Sequence, residues 1–146
     1  EAQETLKASP APPSSDVAQT TKTLGGYECL VRAPADVLHG GCAAELVLLI
    51  LHGLGATNSD LAVLVEALPQ VDSLLAAKKI MWIFPQAPMT VIGNAWWTLD
   101  VMGFMALLSN RDENKVARLI REEPTGLAEC RTRMKELVAA AKEMAG

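Results

Sequence analysis

Aromatic residues make up only 4% of this 146-residue chain, and histidine occurs only twice. Half of the residues are apolar, so a core is affordable, but it has to be assembled mostly from Leu, Val, Ala and Met. No stripe of Lys and Arg is present and the net charge is a mild −4, which argues against a nucleic-acid surface. Long apolar runs are missing as well. The continuous stretch Leu46–Leu51 falls far short of the roughly 20 residues that a bilayer-spanning helix needs. The N-terminus has no basic head followed by an apolar stretch, so no signal peptide is visible, although a chain that begins at Glu1 leaves a preceding segment open. Internal repeats are absent.

Cysteine is scarce and badly placed for cross-linking. Cys29, Cys42 and Cys130 are odd in number, widely spaced and form no C-x-x-C pair. They read as free thiols of a reducing compartment or as small core residues, which makes the cytoplasm the expected location. Zinc would have to draw on Cys29, His39, Cys42, His52 and Cys130, whose spacings fit no zinc pattern, so no metal and no other cofactor is expected.

What is present has a clear order. Residues 1–23 are rich in Ser, Pro and Thr, and Pro10, Pro12 and Pro13 remove backbone donors, so this stretch is expected to be a flexible leader. "YECLV" (Tyr27–Val31) predicts a short strand ended by Pro34, and "APADVLHGGCA" reads as a loop. Leu46–Leu51 is aliphatic without polar alternation, which suits a strand covered on both faces in a parallel sheet. Thr57, Asn58, Ser59 and Asp60 offer helix N-caps, and Leu61, Leu64, Val65 and Leu68 follow at helical spacing until Pro69 interrupts, with a further turn at Leu74–Ala77. Ile80–Phe84 predicts a second buried strand, completing a βαβ pattern and an α/β fold. "MTVIGNAWWTLD" reads as an irregular loop and "RDENKVARLIREE" as a short exposed helix. The clearest helix is the last one, with Leu127, Cys130, Met134, Leu137, Val138 and Ala141 along one face.

The turn His52-Gly53-Leu54-Gly55 lies between the first buried strand and a helix, where ligand sites form in parallel sheets. Glycines there let backbone N–H groups point outward and hold a negative charge. A phosphate is one candidate, but "HGLGATNSD" is neither G-x-G-x-x-G nor G-x-x-x-x-G-K-S/T. An oxyanion is the other.

The strand with its His-Gly loop resembles the α/β-hydrolase superfamily. "LILHGLGATNSDL", then "IFPQAP", then "AWWTLD" narrows the resemblance to the phospholipase/carboxylesterase family that includes acyl-protein thioesterases. The LHGLG turn, the P-x-A-P segment and the Trp segment fall at His52–Gly55, Pro85–Pro88 and Trp96–Asp100, in the family's order. The resemblance covers roughly Glu45 to Gly146. It implies that residues 24–146 are the N-terminal portion of an α/β-hydrolase domain, a mostly parallel sheet flanked by helices, and incomplete. It further implies a serine hydrolase acting on a small-molecule or lipid ester or thioester. The Leu54 N–H would be an oxyanion donor. Gly53 and Gly55 would let the loop approach substrate, Pro88, Trp96 and Trp97 would shape the pocket, and His52 would brace the loop rather than act as the base. Asp100 matches the family's Trp-segment aspartate, which is not the triad acid.

The nucleophile is what this sequence lacks. Among Ser9, Ser14, Ser15, Ser59, Ser73 and Ser109, none stands in G-x-S-x-G. The triad order of this fold, Ser then Asp then His, puts all three beyond Gly146. The expectation is a truncated hydrolase that supplies oxyanion loop and pocket wall and is inactive alone. Its first buried strand would be left as an exposed edge, making the chain prone to aggregation. The alternative is a degenerate, hydrolase-like binding or regulatory module.

Overall fold

The computed structural model describes residues 17–98, 100–109 and 113–146. Strand β1 (Val17–Leu24) turns back at Gly25 and Gly26 into β2 (Tyr27–Pro34), and both turn glycines have positive φ. A Cβ on Gly25 would stand 2.4 Å from the backbone N of Leu137, so this turn needs glycine for space as well as conformation. The boundary of the expected leader therefore moves: Val17–Thr23 pair with β2 along their whole length, and residues 1–16 lie outside the described residues. Val and Thr at short intervals, a Gly-Gly turn and a buried partner strand outweigh the polar composition that suggested a tail.

The helical turn α1 (Ala35–Leu38) follows, inside the stretch read as loop, and then β3 (Leu46–Leu49). Helices α2 (Leu64–Val71) and α3 (Ser73–Ala76) lead to β4 (Ile80–Pro85). β3 and β4 pair in parallel, so the βαβ unit is present as the spacing predicts. Pro69 lies within α2 without ending it, while Val65 is buried and Leu68 packs on the same cluster, which holds the helix to the sheet. No side chain caps α2. Asp60 instead folds back on Thr57, taking its N–H at 2.7 Å and its hydroxyl at 2.9 Å.

The strand order is β1-β2-β4-β3. β1–β2 and β2–β4 are antiparallel and β3–β4 is parallel, so the described sheet is mainly antiparallel, where the resemblance implies a mostly parallel sheet for the domain. The cause is the hairpin at Gly25-Gly26, which gives the early strands an antiparallel start that an aliphatic pattern does not reveal. β4 is buried throughout and alternates between two cores. Met81 and Ile83 join Tyr27, Cys29, Val31 and Leu137 on one face, while Ile80, Trp82 and Phe84 join Val65 on the other. β3 sits at the edge of the described sheet with all four residues half-buried, Val47 and Leu49 packing on the first core and Leu46 and Leu48 on the second.

After β4 a small hairpin, β5 (Met89–Thr90) and β6 (Gly93–Asn94), precedes α4 (Val101–Ser109), α5 (Glu113–Arg121) and the long α6 (Leu127–Ala145). α5 is exposed, as its charges predict. α6 buries Cys130, Leu137 and Ala141, whereas Val138 is partly exposed and falls off the expected face. The result is a mixed α/β architecture: a small, mainly antiparallel sheet with helices packed on it. Among the described residues, no helix is long and apolar enough to cross a membrane.

Candidate functional site

The turn after β3 is held by the two segments that the sequence placed about thirty and forty residues away. Ile50 N–H still bonds to Ile83 O at 2.9 Å, so β3 and β4 run together up to the turn. His52 then points inward and is 4% exposed. Its Nε2 accepts the Ala87 N–H at 3.0 Å and lies 3.2 Å from Gln86 Nε2. An amide N–H can only donate, so the ring hydrogen belongs on Nδ1, which donates to Gly53 O at 2.8 Å. Both ring nitrogens are thereby committed within the protein. The geometry suits a brace, as the family resemblance implies, and leaves no nitrogen for proton transfer.

Further bonds fix the rest of the turn. Trp96 Nε1 donates to His52 O at 2.9 Å, with the two ring centroids 5.1 Å apart. Gly55 N–H bonds to Asn94 O at 2.8 Å, and Asn94 Nδ2 reaches Ala56 O at 2.8 Å. Gln86 Oε1 accepts the Asn58 N–H at 3.0 Å. Gly55 has φ +77°, the left-handed conformation that closes the turn. Among the described residues, the N–H groups of Gly53 and Leu54 have no hydrogen-bond acceptor. Leu54 is 54% exposed as a residue. Two free amides on one braced turn can donate to an oxygen that carries negative charge.

A second tier supports Trp96. Tyr27 meets it edge-on with centroids 5.5 Å apart, and the Arg133 guanidinium lies 4.0 Å from the centre of the Tyr27 ring. Burial, then contact with Cys130, pushes the Tyr27 hydroxyl up to about 12. Arg133 also donates to Gly25 O and Gly26 O, tying α6 to the hairpin turn.

Of the residues singled out from sequence, His52, Gly53, Gly55 and Trp96 come together with Leu54 at this turn. Pro88 is exposed and lines an open cleft of ≈ 440 Å³ with Tyr27, Gln86, Asn94 and Arg133, but Leu54 and the two tryptophans are not in its wall. Trp97 is half-buried, and its Cα and Cβ lie beside Gly126. Asp100 is exposed and accepts the Gly103 N–H at 2.8 Å at the start of α4. Sequence reasoning overlooked Gln86 and Asn94, although both lie in segments it quoted, and Tyr27 and Arg133, which no short pattern connects. Among the described residues, no group of three His, Cys, Asp or Glu could hold a metal ion. In comparisons with known proteins, no family model, no curated protein and no solved structure matches this chain.

Proposed function

We propose that this chain is the N-terminal portion of an α/β-hydrolase domain of the phospholipase/carboxylesterase type, a serine hydrolase cleaving carboxylic esters or thioesters. In this reading the chain contributes one oxyanion donor, the Leu54 N–H, and part of the pocket wall. The observation that carries the proposal is the braced turn: among the described residues the N–H of Leu54, a residue that is 54% exposed, has no acceptor, while the neighbouring Gly55 N–H is taken by Asn94. The turn follows the third strand, where hydrolases of this superfamily place such a donor. The assembly of the HGLG, PQAP and NAW segments around His52 supports the same reading.

Catalysis would run through an acyl-serine intermediate. No serine of the chain stands in G-x-S-x-G, and the triad order of this fold would put acid and base after the serine. A strand bearing the serine has a place to pair, because the outer edge of β3 has no strand partner among the described residues. As the carbonyl carbon becomes tetrahedral, its oxygen gains charge, and a preorganised amide stabilises that state more than the substrate. A second reading, an inactive hydrolase-like binding module, is favoured by the absence of G-x-S-x-G.

The test is the source gene together with an assay. A reading frame that continues into G-x-S-x-G, then Asp, then His is expected, and its product should hydrolyse p-nitrophenyl esters and be blocked by a fluorophosphonate. In that product Leu54→Pro, which deletes the N–H, should cut kcat by about 10²–10³-fold. A true stop after Gly146 with no such frame would sink the enzymatic reading and leave the binding module.

A further inference from the structure

At the opposite end of β3 and β4 from the braced turn, two nucleophiles of different kinds touch. Cys42 Sγ lies 3.1 Å from Lys79 Nζ. Asp36 Oδ2 is 2.5 Å from the same nitrogen and 3.3 Å from the same sulfur. The chain builds this contact deliberately. Asp36 O takes the Gly41 N–H at 2.7 Å, which folds the segment after α1 back on itself and brings Cys42 over Asp36. Glu45 N–H bonds to Lys79 O at 2.9 Å and Lys79 N–H to Glu45 Oε2 at 2.8 Å, which pins Lys79 beside that segment. The trio is open to small reagents: the Lys79 and Asp36 side chains are about half exposed, at 46% and 49%, and Cys42 is partly exposed.

We propose that Cys42 and Lys79 are an oxidative cross-linking site, in which a peroxide converts the Cys42 thiol to a sulfenic acid and the Lys79 amine captures it in an S–N bond. In the first step sulfur attacks the peroxide, an S–O bond forms and the O–O bond breaks. Sulfur loses two electrons and the peroxide is reduced, leaving as water. In the second step Nζ attacks sulfur, the S–O bond breaks and hydroxide leaves with a proton as water. One thiol, one ammonium and one hydrogen peroxide give one S–N bond, two waters and one proton, for which Asp36 Oδ2 is the nearest acceptor. Attack by nitrogen needs the neutral amine. Its hydrogen bond to Asp36, then that to Cys42, raises the Lys79 amine above its ordinary range, so the second step quickens as pH rises. The product staples the segment after α1 covalently to the start of β4.

The two other thiols are built-in controls. Cys29 and Cys130 are buried, and burial pushes the Cys29 thiol up to about 11. The experiment treats the full chain with hydrogen peroxide at mildly alkaline pH and maps its peptides by mass. The expected product joins the Cys42 peptide to the Lys79 peptide, is lighter by two hydrogens than their sum, and is released by dithiothreitol. Treatment in concentrated urea should abolish it, because the fold supplies the proximity. Lys79→Arg keeps a cation beside Asp36 but offers no nucleophilic amine, so it should lose the product while retaining the native circular dichroism spectrum. Free Lys79 with Cys42 recovered only as thiol, sulfinic or sulfonic acid would overturn the proposal. So would a product that survives Lys79→Arg, one that forms equally in urea, or one that retains an extra oxygen between sulfur and nitrogen.

Discussion

The two ends of the β3–β4 pair are built from opposite materials. At the carboxyl end a largely buried, neutral network holds the turn: Ala87 N–H and Trp96 Nε1 donate to His52 at 3.0 and 2.9 Å, Asn94 Nδ2 donates to Ala56 O at 2.8 Å, and His52 is 4% exposed. At the amino end an exposed charged cluster of Asp36, Lys79 and Cys42 holds the segment after α1. Buried hydrogen bonds are costly to break because each orphaned group has lost its water. Exposed ion pairs are screened and contribute little stability. The first end is therefore suited to holding a backbone still, and the second to remaining accessible to reagents and ions.

The comparison breaks most visibly at His52. His52→Leu keeps the bulk but removes the acceptor of the buried Ala87 N–H, and is expected to cost about 1–3 kcal/mol in urea denaturation. A change of only a few tenths would show that His52 is no brace. Gly55→Ala is next. No atom lies within 4 Å of the added Cβ, so the loss comes from the left-handed backbone alone, about 1–2 kcal/mol. Hydrogen exchange of the residue-55 amide, which bonds to Asn94 O at 2.8 Å, should quicken in that variant if the turn loosens, and an unchanged rate would show that the turn holds.

The smallest effect sharpens the contrast through pH and salt. Both Asp36 and Asp60 are held below the usual carboxylate range, Asp36 by Lys79 first and Asp60 by the Thr57 N–H first. A carboxylate with a lowered pKa in the folded state adds stability above its unfolded pKa, near 3.9, and that stability is lost as pH falls through the folded value. Each should therefore titrate below about pH 3.9 by carbonyl NMR. In about 1 M salt, where the Debye length is about 3 Å, Asp36 should move back toward the ordinary value and Asp60 much less. Equal salt responses would mean that the charge on Lys79 adds nothing to the hydrogen bonds from Lys79 and Cys42 that hold Asp36 down.

Much of this was legible one residue at a time. Unalternating aliphatic runs identify β3 and β4, and a long amphipathic repeat identifies α6. α4 escaped notice because Val101–Ser109 is apolar on all sides, so no face stands out, and most of its large side chains are exposed. β1 escaped because an edge strand that is mostly exposed carries no apolar stripe. At the candidate site, the glycines and His52 stand in one readable turn. Their supports do not: Tyr27, Asn94 and Arg133 reach it from β2, β6 and α6, and Gln86 from the segment after β4.

By itself, then, the sequence determined the two aliphatic strands, the parallel βαβ unit between them and the glycine turn at its carboxyl end, because local periodicity and glycine's backbone freedom act over a few residues. Only the tertiary structure decided that β3 lies at an edge and β4 at the centre, since the same aliphatic run suits either place until its neighbours are known. It also decided which amide stays free. Gly55 and Leu54 are adjacent in the chain, and Asn94, arriving from β6, takes one N–H and leaves the other without an acceptor among the described residues.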